Sequence, residues 1–242
     1  MRGILLLFIA VFCLNACATI QLPAKVSRSP GWYTIKKSDT LYSIAWRYGL
    51  DYKKLAAWNN IRISDPIFPG QRLRLSKPVS SGLVQGGSNT RKSKPTPTSQ
   101  TRNTSTENKT ASNDVTSWTD PVRWRWPTDG KVMNTFSSKQ LDRRGIEITG
   151  REGQPVYAVA DGRVVYSGNG LAGYGNLIII KHSDTFLSAY AYCQERLVQE
   201  GTVVKSGKIL AKMGVKDSVA KLYFEIRRNG KPVDPIRYLP KR

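Results

Sequence analysis

The chain has 242 residues and a formal charge of +21, with 38 Lys and Arg against 17 Asp and Glu. That length holds one medium domain and a small one. So large a positive excess points to polyanionic surroundings: nucleic acid, an anionic membrane face or an acidic cell-wall polymer. A single histidine and three cysteines exclude a multi-histidine metal site and an extensive disulfide framework.

The first element is a leader. "MRGILLLFIAVFCLNAC" has one Arg, an apolar run from Ile4 to Leu14, then Asn15, Ala16 and Cys17. The run is too short for a permanent membrane span and fits a secretory signal peptide. Leu14-Asn15-Ala16-Cys17 resembles the bacterial lipobox, with Asn15 the less usual residue. The resemblance implies cleavage before Cys17 and lipidation of that residue. The alternative is an ordinary signal with an incidental Cys. Ala18 rather than Asp after the Cys implies, by the same resemblance, the outer membrane of a Gram-negative cell, facing the periplasm. With Cys13 lost and Cys17 acylated, only Cys193 remains.

Residues 18–30 read as a tether, and 31–76 as a small domain of four short elements. Trp32 to Ile35 is a strand. Ser38 or Asp39 can cap a helix in which Leu41, Ile44, Ala45 and Tyr48 recur at helical spacing. Gly49 stops it. Tyr52, Leu55, Ala56 and Trp58 form a second helix, ended by Asn59-Asn60. Arg72 to Leu75 alternates as a closing strand, giving a βααβ unit with antiparallel strands. Tyr33-Thr34-Ile35, Ser-Asp-Thr-Leu at 38–41, Ile44-Ala45, Leu55, Trp58-Asn59 and Pro69-Gly70-Gln71 make this segment resemble a LysM domain. The family binds glycans containing N-acetylglucosamine, and its commonest turn is Gly-Asp-Thr-Leu, so Ser38 departs from it. The resemblance places the sugar between Asp39, Thr40 and Leu41 on one side and Asn60, Ile61, Ile67 and Phe68 on the other. Backbone groups there would bond acetamides while apolar side chains cover the methyls. The alternative is that Leu41, Ile61 and Ile67 are simply core.

Residues 77–117 are rich in Ser, Thr, Asn, Gly, Lys and Pro and poor in large apolar groups. Such a segment cannot bury enough surface to offset chain entropy, so a disordered linker is expected. A coil of that length spans roughly 35 Å root-mean-square.

Residues 118–242 read as short strands divided by glycine turns. Val156 lies between "REGQP" and "YAVADG", Arg163 to Ser167 is a strand, and "GNGLAGYGN" is a loop. Leu177 to Ile180 and Leu187 to Tyr192 are strands, and Val203 to Met213 is a Gly-divided pair. "KLYFEIRRNGKPVDP", Lys221 to Pro235, is a strand, a polar turn and an exit. This predicts a β-rich domain of antiparallel sheets. The whole chain is thus multidomain, α+β in its small part and mainly β in its large part. His182, in "KHSD", is predicted to hydrogen-bond in a turn, and Cys193 to be a small residue at a strand end.

"RRGIEI", "GQPVYAVADGRVVYSGNGLAGYGNLIIIKH", "SAYAY", "VKSGKILAKMG" and "KLYFEI" together resemble the lysostaphin-type (LytM) zinc peptidases of peptidoglycan. The order of lipobox, LysM domain and polar linker, with "PVDPIRYLP" at the end, is similar to the NlpD-type murein hydrolase activators. Active LytM members bind zinc through His-x-x-x-Asp and the second His of His-x-His. A Tyr-Ala-His histidine and the first His of His-x-His assist catalysis. Carried over, the ligand positions are Arg143, Glu147 and Tyr223, and the catalytic positions are Tyr192 and Lys221. Zinc needs three donors and an open site for water. The resemblance therefore implies a degenerate domain with no catalytic residues, no metal and no cofactor.

By the same resemblance, Arg143, Glu147, Tyr192, Lys221 and Tyr223 line a groove that binds an N-acetylmuramoyl-L-alanine amidase and relieves its autoinhibition. An acidic segment could dock against Arg143 and Lys221. The implied partners are peptidoglycan, an amidase and the membrane through the lipid anchor, with no nucleic acid. The alternatives are a membrane-to-wall tether with no activator role and, against the ligand positions, an active endopeptidase.

Overall fold

A computed structural model describes residues 31–78, 121–140 and 143–242. The leader with Cys17, the tether at 18–30 and the linker beyond residue 78 lie outside the described residues.

The small domain pairs β1 (Trp32–Thr34) antiparallel with β2 (Arg72–Arg74), with α1 (Leu41–Tyr48) and α2 (Tyr52–Trp58) between them. Thr40 caps α1, rather than Ser38 or Asp39. Its hydroxyl accepts from Ser43 N at 3.0 Å, and Ser43 Oγ accepts from Thr40 N at 2.9 Å, a reciprocal box that satisfies two helix-end donors. Asp39 is engaged instead within the turn, where its Oδ2 accepts from Lys36 N and Tyr33 Oη. Gly49, at φ 65°, ends α1 in the left-handed conformation. Ser38 also takes φ 65°, which explains why glycine is the commoner residue of this turn. A side chain there strains the backbone by about 1 kcal/mol. Ser38→Gly is therefore expected to raise stability by about that much in urea melts.

The large domain runs through β3 (Val132–Asn134), β4 (Ile146–Thr149), β5 (Pro155–Tyr157), β6 (Gly162–Gly168), β7 (Asn176–Lys181) and β8 (Phe186–Arg196). It continues with β9 (Val203–Val204), β10 (Ile209–Met213), β11 (Val215–Lys216), β12 (Val219–Arg228) and β13 (Lys231–Val233). Its main path is antiparallel, in the order β3-β4-β12-β8-β7-β6-β9, and β10 joins β5 to β8. The fully apolar strand expected at 177–180 lies in mid-sheet as β7, where both faces are covered.

Alternation in the strands separates two cores. Leu222, Phe224 and Ile226 of β12 pack with Ile146, Ile148 and Tyr190 on one side. On the other, Tyr223 packs with Ala189, Ala191, Leu177 and Ile179. This second core is continuous with that of the small domain through Leu41, Ile44 and Trp46. The two domains therefore share one apolar interior, and the small domain seats on the sheet face that carries Tyr223.

His182 forms a buried link. Its Nδ1 lies 2.7 Å from the Asp161 carbonyl and its Nε2 2.7 Å from Ser188 Oγ, with Trp124 edge-on at 5.2 Å. Burial lowers its pKa from 6.5 to about 4, against the opposing pull of Asp161. Between those two values the unfolded chain holds more protons than the folded one, so stability is intact above the upper value and falls with pH below it. Unfolding free energy is expected to drop by about 2 kcal/mol from about pH 7 to about pH 5 through this residue. Urea titrations of the chain and of His182→Gln check it, since the variant should lose that slope.

Candidate functional site

Strand alternation places Lys221, Tyr223, Glu225 and Arg227 of β12 on the face turned away from Phe224. Pairing with β4 sets Glu147 opposite Tyr223, and pairing with β8 sets Ala191 on its other side. The chain enters β4 through Gly145 because nothing larger fits. A Cβ there would lie 2.3 Å from the Phe224 carbonyl oxygen and 3.0 Å from the Tyr223 ring.

At this end of the strands is a cavity of about 360 Å³, lined by Asn134, Arg143, Gly145, Glu147, Tyr192, Asp217 and Tyr223. Four of the five groove positions inferred from the sequence line it. The fifth, Lys221, stands at its wall. Its Nζ donates to Glu147 Oε2 at 3.2 Å and lies 3.5 Å from Asp217 Oδ2 and 5.7 Å from the centre of the Tyr192 ring. Asn134 Nδ2 donates to the same Glu147 oxygen at 2.6 Å. The Lys221 and Glu147 side chains are 8% and 14% exposed. An ammonium is thus the cation paired with Glu147.

That arrangement corrects the expectation that Arg143 and Lys221 together offer positive charge to a partner. Lys221 is neutralised from within. Among the described residues Arg143 is not: its Nε and Nη2 donate to the carbonyl and hydroxyl oxygens of Thr135, both at 3.1 Å, and Nη1 to Gln140 Oε1 at 3.2 Å. All three acceptors are neutral.

Tyr223 is held as a neutral phenol. Burial, then the Glu225 carboxylate, raises its pKa far above the ordinary value. Its hydroxyl donates to Glu225 Oε2 at 2.7 Å, and Arg227 Nε donates to Glu225 Oε1 at 2.7 Å. Tyr174 and Tyr192 each stand 5.7 Å from its ring. Tyr192 sits at φ 63°, a conformation unfavourable to an aromatic residue and held here by bonds between Tyr192 N and the Tyr174 carbonyl and between Gly214 N and the Tyr192 carbonyl.

These donors do not fit a zinc ion. Of the three expected ligand positions, only Glu147 offers an anionic oxygen, and Lys221 and Asn134 engage it. The other two hold a guanidinium and a protonated phenol. A tetrahedral site needs three free donors. Cys193 offers no alternative chemistry, because burial pushes its thiol up to about 12 and a nucleophile must be thiolate.

On the small domain, Asn60 and Phe68 are exposed, Phe68 at 63%, and Ile61 and Ile67 are half-buried. Leu41 is buried in the core, and the Asp39 carboxylate is held by Tyr33, Lys36 and Arg47. The turn at 39–41 therefore has backbone rather than these two side chains to offer a ligand. Thr40 Oγ1 donates across the domain boundary to the Val165 carbonyl at 3.1 Å. Asn134, Asp217, Glu225, Arg227 and Tyr174 were not among the residues singled out in the sequence. For Glu225 and Arg227 the signal was available in the i+2 spacing from Tyr223 along one strand.

Residues 33–76 match the model of the LysM domain, and residues 142–235 that of peptidase family M23. The chain is 39% identical over 265 aligned positions to the murein hydrolase activator NlpD of Escherichia coli, covering 90% of this chain and 70% of that one. The chain belongs to the NlpD/LppB family of lipoproteins. Another NlpD/LppB homologue, a lipoprotein of Pseudomonas aeruginosa, is 41% identical over 249 positions, covering 91% of this chain and 82% of its own. The outer membrane antigenic lipoprotein B of Haemophilus influenzae is 38% identical over 267 positions, with 90% and 66% covered. The cavity at Glu147 and Tyr223 thus lies within an M23-type domain of an NlpD/LppB-family protein, downstream of its LysM domain.

Proposed function

We propose that this chain is a non-catalytic, peptidoglycan-binding lipoprotein, anchored through Cys17 in the outer membrane, that activates an N-acetylmuramoyl-L-alanine amidase. The observation that carries the reading is the Lys221–Glu147 pair in the M23-type cleft. An ammonium ion-paired with a carboxylate at the family's ligand position leaves a groove suited to recognising protein rather than polarising a scissile carbonyl. The name of the Escherichia coli relative, a murein hydrolase activator, supports the same direction. The LysM turn at 39–41, with Asn60, Ile61, Ile67 and Phe68, is assigned to the glycan. Anchor, LysM domain and linker together keep the groove concentrated at the wall.

An activator must bind the open form of its amidase better than the closed form. Dye release from labelled sacculi tests the proposal, using the mature chain alone, with zinc, and with each amidase of the host. Release should rise at least about tenfold over that of one amidase alone and stay at background without amidase. Release by the chain alone would overturn the non-catalytic reading. No stimulation of any amidase would leave a membrane-to-wall tether in its place.

A further inference from the structure

The sheet face that carries Tyr223 runs on through Glu225 and Arg227, and the LysM domain covers it. Glu225 is 0% and Arg227 1% exposed. Arg227 Nη1 donates to the Trp46 carbonyl at 2.8 Å, and its guanidinium lies 3.6 Å from the centre of the Trp46 ring. Trp46 is itself 2% exposed. At the start of α1, Thr40 Oγ1 bonds the Val165 carbonyl, and in its last turn, beside Trp46, Arg47 Nη2 bonds the Gly170 carbonyl at 3.2 Å. A fourth contact is tight enough to need glycine. A Cβ on Gly230 would lie 2.6 Å from both Leu50 O and Asp51 N.

We propose that the LysM domain is a removable cover of the sheet face adjoining the M23-type groove, and that an N-acetylglucosamine-containing glycan displaces it. The first argument is shared use of one surface. Thr40 belongs to the turn assigned to the glycan, and in this structure its hydroxyl is bonded to β6. Asp39, beside it, is tied through Arg47 to the loop at Gly170. A glycan seated along that turn meets the β6 edge and this loop. Glycan and sheet therefore compete for one lip of the LysM domain.

The second argument is energetic. Closing the domains takes the Glu225–Arg227 pair out of water. Burial of an ion pair is offset only if its hydrogen bonds are complete. Here Arg227 Nη2 has no hydrogen-bond partner among the described residues, so the closed form keeps an unmet donor at its centre. The apolar contacts around Trp46 favour closure, and the buried charges oppose it. An interface balanced in this way is one that a ligand of ordinary affinity can open. Opening bares the face continuous with the groove at Tyr223, where the amidase is assigned to bind. Activation would then be confined to places where the chain already holds a glycan strand. The inference rests on the assignment of the LysM glycan site made above.

Two measurements on the mature chain decide it. Hydrogen exchange is followed in residues 187–191 and 223–227 with and without the hexamer of N-acetylglucosamine. Exchange there should rise as the hexamer binds; saturation of binding with no change in these strands would overturn the proposal. The hexamer Kd is then compared with that of Arg227→Met, which unlatches the cover from the M23 side and leaves every LysM residue in place. Linkage is reciprocal, so an opened cover must tighten glycan binding, by at least about fivefold. Equal Kd values would overturn the cover. Absence of hexamer binding by both chains would instead show that the glycan assignment itself had failed, and the proposal with it.

Discussion

Lys221→Met is expected to destabilise the chain by about 3 kcal/mol, the largest loss of any single change in the cleft. The substitution keeps an unbranched side chain, one atom shorter, and removes its charge. Glu147, only 14% exposed, would then lose the ammonium 3.2 Å from its Oε2 and keep Asn134 Nδ2 as its remaining donor. A carboxylate deprived of its cation in a partly dry cleft costs far more than the pair contributes relative to two apolar groups. That asymmetry gives the prediction its control. Lys221→Met combined with Glu147→Leu should recover most of the loss, because no unpaired charge remains. Urea unfolding of the two single variants and the double variant completes the cycle. Equal losses in the double and in Lys221→Met alone would mean that the pair is incidental and that the damage is steric. Asp217 does not alter the sign. It lies 3.5 Å from Lys221 but is 69% exposed, so water compensates its charge when the ammonium is gone.

Local pattern carried much of the fold, for identifiable reasons. The helical spacing of Leu41, Ile44, Ala45 and Tyr48 and the stop at Gly49 needed no knowledge of the tertiary structure, since one face of α1 packs on its own small domain. The cap was misplaced by one or two residues. Ser38, Asp39 and Thr40 are all competent caps, and the choice among them was made by Tyr33 and Lys36, which hold the Asp39 carboxylate. Strand β7 was legible as an unbroken apolar run because both of its faces are covered. What covers one of them was not legible. Val165, Leu177, Ile179 and Leu187 meet residues of the LysM domain, more than 100 positions earlier in the chain, and no periodicity encodes a partner at that separation. Trp46 shows the same limit. On an isolated helix it is a surface aromatic; here it is the lid on Arg227.

The cleft was legible in its membership and not in its electrostatics. Arg143, Glu147, Tyr192, Lys221 and Tyr223 follow from aligning two strands and a loop with a known pattern. Two basic residues, Arg143 at a former ligand position and Lys221 at a former catalytic position, then read as a combined positive surface. The β4–β12 register sets Tyr223 opposite Glu147, and the length of the lysine side chain carries its Nζ back to that carboxylate. Whether a charge faces a partner or a neighbour is fixed by such reach, which the residue order alone does not give. The difference reassigns the roles of the two cations. Lys221 holds the cleft together, and Arg143, half-buried on the cavity wall, bonds only neutral oxygens among the described residues.

Arg143→Glu is accordingly expected to raise the concentration needed for half-maximal amidase stimulation roughly 100-fold while leaving the fold intact. Among the described residues, Arg143 bonds only neutral oxygens, of Thr135 and Gln140. A carboxylate of a partner can approach its guanidinium and gain charge-assisted bonds without first displacing another anion. Reversal turns that attraction into repulsion. At contact distance near a protein surface, one unit interaction is on the order of 4 kcal/mol before solvent and salt reduce it. A net loss of about 3 kcal/mol corresponds to a roughly 100-fold higher concentration for half-maximal stimulation. The same figure should shrink as salt rises, since a rim charge is screened. Unfolding free energy should move by no more than about 1 kcal/mol, because Arg143 is half-buried and the bonds it loses go to neutral oxygens of Thr135 and Gln140. Sacculus dye release, titrated with the variant at two salt concentrations, reads both effects. Arg143→Gln separates the two contributions: it removes the attraction without adding repulsion, so its loss should fall between those of the parent chain and Arg143→Glu. Full stimulation by Arg143→Glu would move the amidase to another face of the domain. The face beneath the LysM domain, around Glu225 and Arg227, would be the next to test.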